Sequence, residues 1–203
     1  MSDAKTTYSF VSGKIAQLDN DSPGSRAACA RLRRAIGKNP GATPDIWDFT
    51  LQGMPPEWDS RGGKPSHEEW AVHTALTLYA LHRQGKDHSM NAKDVSFGAA
   101  VSKLVQKDLG RVDAVRRRFN AVATATDFSE LANHARGLVQ LFKSDDIAMD
   151  YSRFAVDLFY FLLPGGADQV RLRWAEDFYR FGNIEEAPDG PQENENKKGN
   201  DKK

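Results

Sequence analysis

The stretch VSFGAAVSKLVQKDLGRVDAVRRRF, residues Val95–Phe119, shows the apolar spacing that recurs along most of the chain. Its apolar residues recur every three or four positions, first over Phe97–Val105 and again over Val112–Phe119. That spacing predicts two amphipathic helices, because residues three and four apart lie on one face of an α-helix. Gly110 falls between the two apolar stripes and predicts the break between the helices.

The same stretch carries a strong excess of positive charge, with six basic residues against two acidic ones. Its basic residues are Lys103, Lys107, Arg111, Arg116, Arg117 and Arg118. A second cluster lies upstream, where Arg31, Arg33 and Arg34 fall in a segment without any acidic residue. Basic surfaces of this kind on ordered helices favour a polyanionic partner, although charged helix faces often serve only to keep a protein hydrated.

The helical spacing recurs along most of the chain and indicates about eight or nine helices. Ser66 and Asp127 are each followed three residues later by glutamate, which is the capping-box signature of a helix start. No segment alternates apolar and polar residues in the manner of a strand. We therefore predict an all-α fold of two small packed helical bundles, residues 1–94 and 95–184. Residues 185–203 are polar and charged, which predicts a disordered tail.

Composition excludes several classes of protein. The chain has 203 residues, of which 39% are hydrophobic, so it is long enough to bury a core. Basic and acidic residues balance at 28 each, so local charge matters more than the total. Cys29 is the only cysteine, which leaves no internal disulfide. Without a long apolar run or a signal-peptide pattern, we expect a cytoplasmic protein with no membrane contact.

The sequence offers little support for catalysis. The segment HEEWAVH (His67–His73) spaces its histidines by six residues, whereas a helical zinc motif needs four. Glu69 and His73 are four apart, so a metal-dependent helical enzyme is one alternative, provided that a third ligand exists. No nucleophile elbow, phosphate-binding loop or C-x-x-C motif is present. We predict no enzymatic activity and no cofactor.

Eight short motifs, taken in order, resemble those of one known family. They are LD (Leu18–Asp19), R-x-RR-A (Arg31–Ala35), TALTLYALHRQG (Thr74–Gly85), SFGAAVSKL (Ser96–Leu104), RRRF (Arg116–Phe119), ARGLVQLFKS (Ala135–Ser144), DYSRFAVDLFYF (Asp150–Phe161) and VRLRWAEDFYR (Val170–Arg180). Each motif alone is weak, but their order and spacing together are specific. The chain resembles the CasB family, the small subunit of the type I-E CRISPR effector complex called Cascade.

The resemblance implies a fold, a role and a set of partners. It implies two helical bundles without catalytic activity, and a subunit present as two copies beside guide RNA, backbone subunits and a large PAM-reading subunit. It also implies that the subunit holds both strands of opened target DNA, the target strand paired with the guide and the displaced strand. Such a protein tracks the nucleic-acid backbone without reading bases, because guide pairing reads the sequence.

The expected nucleic-acid-binding residues come from two sources. The resemblance assigns Arg33, Arg34, Arg117, Arg118 and Arg136. Charge pattern alone adds Arg31, Lys103, Lys107, Arg111, Arg116 and Lys143. An alternative reading is a helical adaptor whose basic faces bind an acidic protein surface.

Overall fold

A computed structural model describes residues 2–60 and 62–181. Within those ranges the chain folds into nine α-helices and three short 3-10 turns, and the only strand-like pairing is an isolated bridge between Asn91 and Met149. The helices are Ser2–Leu18 (α1), Pro23–Arg34 (α2), Trp47–Thr50 (α3), His67–His82 (α4), Phe97–Lys107 (α5), Val112–Ala123 (α6), Phe128–Asp145 (α7), Tyr151–Leu162 (α8) and Gly166–Phe181 (α9). The all-α prediction is confirmed. The predicted disordered tail, residues 185–203, lies outside the described residues.

Side-chain caps begin several helices where the sequence predicts them. The Ser66 hydroxyl accepts a hydrogen bond from the Glu69 amide at 3.1 Å, and the Glu69 carboxylate accepts one from the Ser66 amide at 2.6 Å. Asp127 caps α7 in the same way, accepting from the Glu130 amide at 2.9 Å. The Glu130 carboxylate, however, accepts from the amide of Thr126 at 2.6 Å, one residue before the cap. At the start of α7 the Glu130 carboxylate therefore bonds one residue earlier than in the predicted capping box.

The opening stretch breaks where Gly110 predicts a break. Helix α5 ends at Lys107, a 3-10 turn covers Leu109–Arg111, and α6 begins at Val112. The Asp108 carboxylate accepts a hydrogen bond from the Gly110 amide at 3.0 Å and so stabilises the turn. This turn directs α6 away from α5 and sets the position of the arginines on α6.

Helix α4 is the most enclosed element among the described residues, with every residue from 71 to 83 buried. Its neighbours include α1, α2, α7 and α8. The buried apolar side chains form one contiguous core that runs through both predicted bundles. The division of the chain at residues 94 and 95 therefore stays a prediction, since packing does not separate the two halves.

Buried polar bonds fix the C-terminal end of α4. His82 lies with Nδ1 2.9 Å from the hydroxyl of Tyr151 on α8. Tyr79 donates its hydroxyl proton to the carboxylate of Asp19, and Arg83 Nε donates to the same oxygen at 3.1 Å. These bonds hold the end of α4, and the loop that follows it, against α1 and α8.

Helices α5 and α9 pack unusually closely around Phe97 and Gly98. The Phe97 ring lies 4.9 Å from the ring of Trp174, measured between centroids. A Cβ atom placed on Gly98 would lie only 2.1 Å from the backbone oxygen of Trp174. Glycine is therefore required at this crossing for steric reasons.

No helix among the described residues combines the length and the apolar character needed to cross a membrane.

Candidate nucleic-acid interface

Two helices with basic side chains flank the buried helix α4, with α2 on one side and α7 on the other. Arg33 on α2 donates from Nη1 to the backbone oxygen of Ala80 at 3.4 Å. Lys143 on α7 donates from Nζ to the side-chain oxygen of Gln84, just beyond α4, at 3.1 Å. We call the channel between them the α2–α7 groove. Its basic residues are Arg33, Lys38, Lys86, Arg136 and Lys143.

One end of the α2–α7 groove concentrates positive charge. Burial lowers the pKa of the Lys143 amino group, and the charges of Arg33 and Lys86 lower it further. Arg33 and Lys86 therefore each lie close enough to repel Lys143. Lys86 has a carboxylate partner, Asp146, whose oxygen lies 2.6 Å from Nζ. A bound anion would relieve the repulsion that remains between Arg33 and Lys143.

Lys38 and Arg136 lie at the other end of the α2–α7 groove. Both line a cavity of about 330 Å³ between the turn that follows α2, residues 70–78 of α4 and the first half of α7. Both side chains are exposed, and neither makes an ion pair or hydrogen bond within residues 2–60 and 62–181. Their positive charge is thus available to a partner.

The α6 arginines lie on the opposite flank of the first half of α7. Arg117 and Arg118 line a shallow cavity together with Asn133 and Gly137. Asn133 also lines the cavity that contains Arg136. The α6 arginines and the α2–α7 groove are therefore adjacent, with α7 between them. The structure brings together five of the predicted residues, namely Arg33, Arg117, Arg118, Arg136 and Lys143.

Arg31 is placed differently from its neighbour Arg33. Its guanidinium donates to the backbone oxygen of Asp45 at 2.6 Å and pairs with the Asp48 carboxylate at 3.4 Å. It also lies over the ring of Phe49 at 5.8 Å. These contacts fix the chain that follows α2, so they give Arg31 a role in folding that needs no external anion.

Lys107 and Arg111 also have internal partners. Lys107 donates from Nζ to the backbone oxygen of Asp145. Arg111 pairs with Asp145 at 2.9 Å and with Asp108 at 3.0 Å. Both cations lie at the C-terminal end of α7, where positive charge stabilises the helix dipole. Lys103 and Lys107 line another cavity, which Asp146, the partner of Lys86, also lines.

The two remaining arginines differ in exposure. Arg116 is half-buried, and its Nε has no hydrogen-bond partner among the described residues. Arg34 is exposed at the C-terminal end of α2 and makes no ion pair with any described residue. For these two residues and Lys103, as for every residue of the predicted site, nucleic-acid contact stays a prediction.

Two basic residues of the groove were not among the predicted site residues. Lys38 belongs to the acid-free segment around Arg33, so the charge pattern contained a signal for it. Lys86 follows Gly85 in the loop after α4, and only the packing of α4 between α2 and α7 brings it to Arg33 and Lys143. No spacing rule connects Lys86 with those residues.

The suggested metal pair has other structural roles. The Glu69 carboxylate completes the cap of α4. His73 is buried and its Nε2 lies 3.2 Å from the backbone oxygen of Ala35, which places the ring proton on Nε2. Burial lowers the pKa of His73, so the ring is neutral. Among the described residues, no group of three or more His, Cys, Asp or Glu side chains is arranged to hold a metal ion.

Comparison with known proteins identifies the family of this chain. A protein-family model described as CRISPR-associated protein Cse2 matches residues 28–179. The chain therefore belongs to the Cse2 family. The matched range contains every residue of the α2–α7 groove and the three arginines of α6, Arg116, Arg117 and Arg118. None of the curated proteins with which the sequence was compared matches it.

Solved structures support the same grouping. CasB from Thermobifida fusca is 29% identical, with 86% of this chain and 98% of that chain covered and a TM-score of 0.71. CasB from Thermus thermophilus is 23% identical, with 89% and 99% covered and a TM-score of 0.64. A chain of a CRISPR RNA-guided surveillance complex is 18% identical, with 88% and 94% covered and a TM-score of 0.65. The last two similarities establish the shared fold.

Proposed function

We propose that this protein is the non-catalytic small subunit of a CRISPR RNA-guided DNA surveillance complex, acting in antiviral defence. It binds nucleic-acid backbone without sequence specificity and stabilises the R-loop that guide RNA forms with target DNA, including the displaced strand. Membership of the Cse2 family supports this role. A similar fold in a chain of an RNA-guided surveillance complex also supports it.

The observation that carries the proposal is the set of available cations around α7. Arg117, Arg118 and Arg136 make no ion pair or hydrogen bond within the described parts of the chain. Guanidinium groups offer planar donor pairs that match phosphate oxygens. Because the three arginines come from two adjacent helices, they fit the repeating charge of a backbone better than a single small anion.

The proposed partners follow from this role. They are guide RNA, the target and displaced DNA strands, the large subunit, the backbone subunits and a second copy of this chain. Sequence specificity then comes from guide pairing, so this protein needs no base-reading element.

The test is the salt dependence of single-stranded DNA binding by the full chain. Each phosphate contact releases counterions, so the logarithm of the binding constant falls linearly with the logarithm of salt concentration. We expect Arg117→Ala with Arg118→Ala to reduce that slope by roughly 0.7 for each lost contact. An unchanged slope would show that these arginines do not touch phosphate.

A control pair separates local contact from net charge. Lys5→Ala with Lys93→Ala removes the same formal charge from exposed residues that line neither cavity beside α7. We expect this variant to keep the slope of the unaltered protein.

The alternative, an adaptor for an acidic protein, predicts that excess poly(dT) fails to displace the specific protein partner.

A further inference from the structure

We infer that the cavity at the Lys38 and Arg136 end of the α2–α7 groove receives one nucleotide of a bound strand, with its base unstacked from its neighbours. This inference rests on the proposed function, which requires only backbone contact and does not assign a nucleotide pocket. The cavity volume of about 330 Å³ falls at the lower end of the range typical of small-molecule sites.

The charge of the cavity selects an anionic ligand. Lys38 and Arg136 both line it, and none of the described lining residues is Asp or Glu. His73 also lines the cavity, but its ring is held neutral by burial and faces Ala35 with Nε2. The ligand is therefore attracted by two cations, and no carboxylate of the lining opposes them, which is an environment that a phosphate group favours.

An aromatic pair forms another part of the wall. Trp70 at the start of α4 and Phe128 at the start of α7 meet edge to face, with ring centroids 5.6 Å apart and an angle of 64° between planes. Both side chains are half-buried, so each has surface that reaches the cavity. Aromatic side chains of this kind stack on nucleobases with little preference for sequence.

Neutral polar groups complete the lining. Asn39 and Asn133 are exposed amides at the cavity, and Thr74 lies on its α4 side. Amide and hydroxyl groups both donate and accept hydrogen bonds, which suits the mixed edges of a base or a sugar. Cations, aromatic rings and amides in one cavity together match the parts of a nucleotide.

The surroundings favour a nucleotide within a strand over a free one. Asn133 also lines the adjacent shallow cavity of Arg117 and Arg118, so a backbone held by those arginines would continue directly to Arg136. A strand that crosses α7 at this point would bring one base beside Trp70.

The test uses the fluorescence of Trp70 in the full chain carrying Trp47→Phe. Trp58 and Trp174 are 2% and 1% exposed, so Trp70 becomes the accessible tryptophan of the described residues. The probes are a single-stranded oligonucleotide, the same oligonucleotide with every base removed, and dAMP. We expect the normal oligonucleotide to quench Trp70 and to bind about tenfold tighter than the abasic one. Lys38→Ala with Arg136→Ala should remove most of the quenching.

The outcomes distinguish the two proposals. Equal affinity of the normal and abasic oligonucleotides, with no change in Trp70 fluorescence, overturns the nucleotide pocket and leaves backbone binding intact. Failure of both oligonucleotides to bind overturns backbone binding and the pocket together. Full quenching by dAMP, at an affinity that the strand does not exceed, contradicts a strand nucleotide and identifies a free one.

Discussion

Lys143 on α7 lies close enough to Arg33 on α2 for the guanidinium to lower the pKa of the lysine amino group, in addition to the larger effect of burial. The two residues are far apart in sequence, and Lys143 lies outside both basic clusters of the sequence. They meet because α2 and α7 both pack against the buried helix α4. Packing thus adds an isolated lysine of the sequence to the surface that contains Arg33.

The pKa of Lys143 reports directly on that surface. We predict that lysine NMR finds this pKa below the ordinary value, and that Arg33→Gln raises it, because one of the repelling charges is removed. Saturating poly(dT) should raise it as well, since bound phosphate stabilises the charged amine. If poly(dT) binds but leaves the Lys143 pKa unchanged, phosphate does not reach this end of the groove.

Buried His82 makes the stability of the protein depend on pH. Burial, and to a smaller extent the positive charge of Lys86, lowers the pKa of His82 to about 4. The unfolded chain therefore binds a proton near pH 6 that the folded protein excludes, so stability falls as pH falls from 7 towards 4. We expect this histidine alone to make the protein roughly 2 kcal/mol less stable at pH 5 than at pH 7.

Urea unfolding at the two pH values checks this prediction. In His82→Asn the difference in unfolding free energy between pH 7 and pH 5 should shrink by about that amount, whatever the absolute stability of the variant. A variant that keeps the full pH difference would show that another group is responsible.

Two glycines provide a matched test of the packing between α5 and α9. Gly98→Ala should destabilise the protein by about 3 kcal/mol, because the new methyl group would collide with the backbone of Trp174. Gly13→Ala on the exposed side of α1 meets no atom within 4 Å and should stabilise by about 0.5–1 kcal/mol. Thermal or urea unfolding of both variants measures the contrast, and equal effects would contradict the close approach at Gly98.

Local sequence signals predicted the helices well because apolar spacing, caps and breaks all lie within the segment that forms each helix. The apolar stripes of α5 and α6, the break at Gly110 and the caps at Ser66 and Asp127 are all short-range features. The burial of α4 was harder to predict from the sequence, because it depends on how four other helices pack around this helix.

The candidate site was predictable only in part, because charge pattern does not reveal ion pairing. Arg31 and Arg33 are two residues apart, yet Arg31 is held by Asp48 while Arg33 faces the groove. Arg111 is likewise neutralised by Asp145, which lies on a different helix. Such partners are fixed by tertiary packing, so the sequence could not separate available cations from occupied ones.

The most direct test compares two variants that each remove one arginine and one lysine. Arg136→Ala with Lys143→Ala removes charge from the α2–α7 groove, whereas Arg111→Ala with Lys107→Ala removes cations that already have partners at the end of α7. In single-stranded DNA binding over a range of salt concentrations, we predict that the first variant lowers the log–log slope by roughly 1.4 and the second leaves it nearly unchanged. Equal slopes for the two variants, or a larger loss in the second, would contradict the assignment of the α2–α7 groove as the nucleic-acid-binding surface.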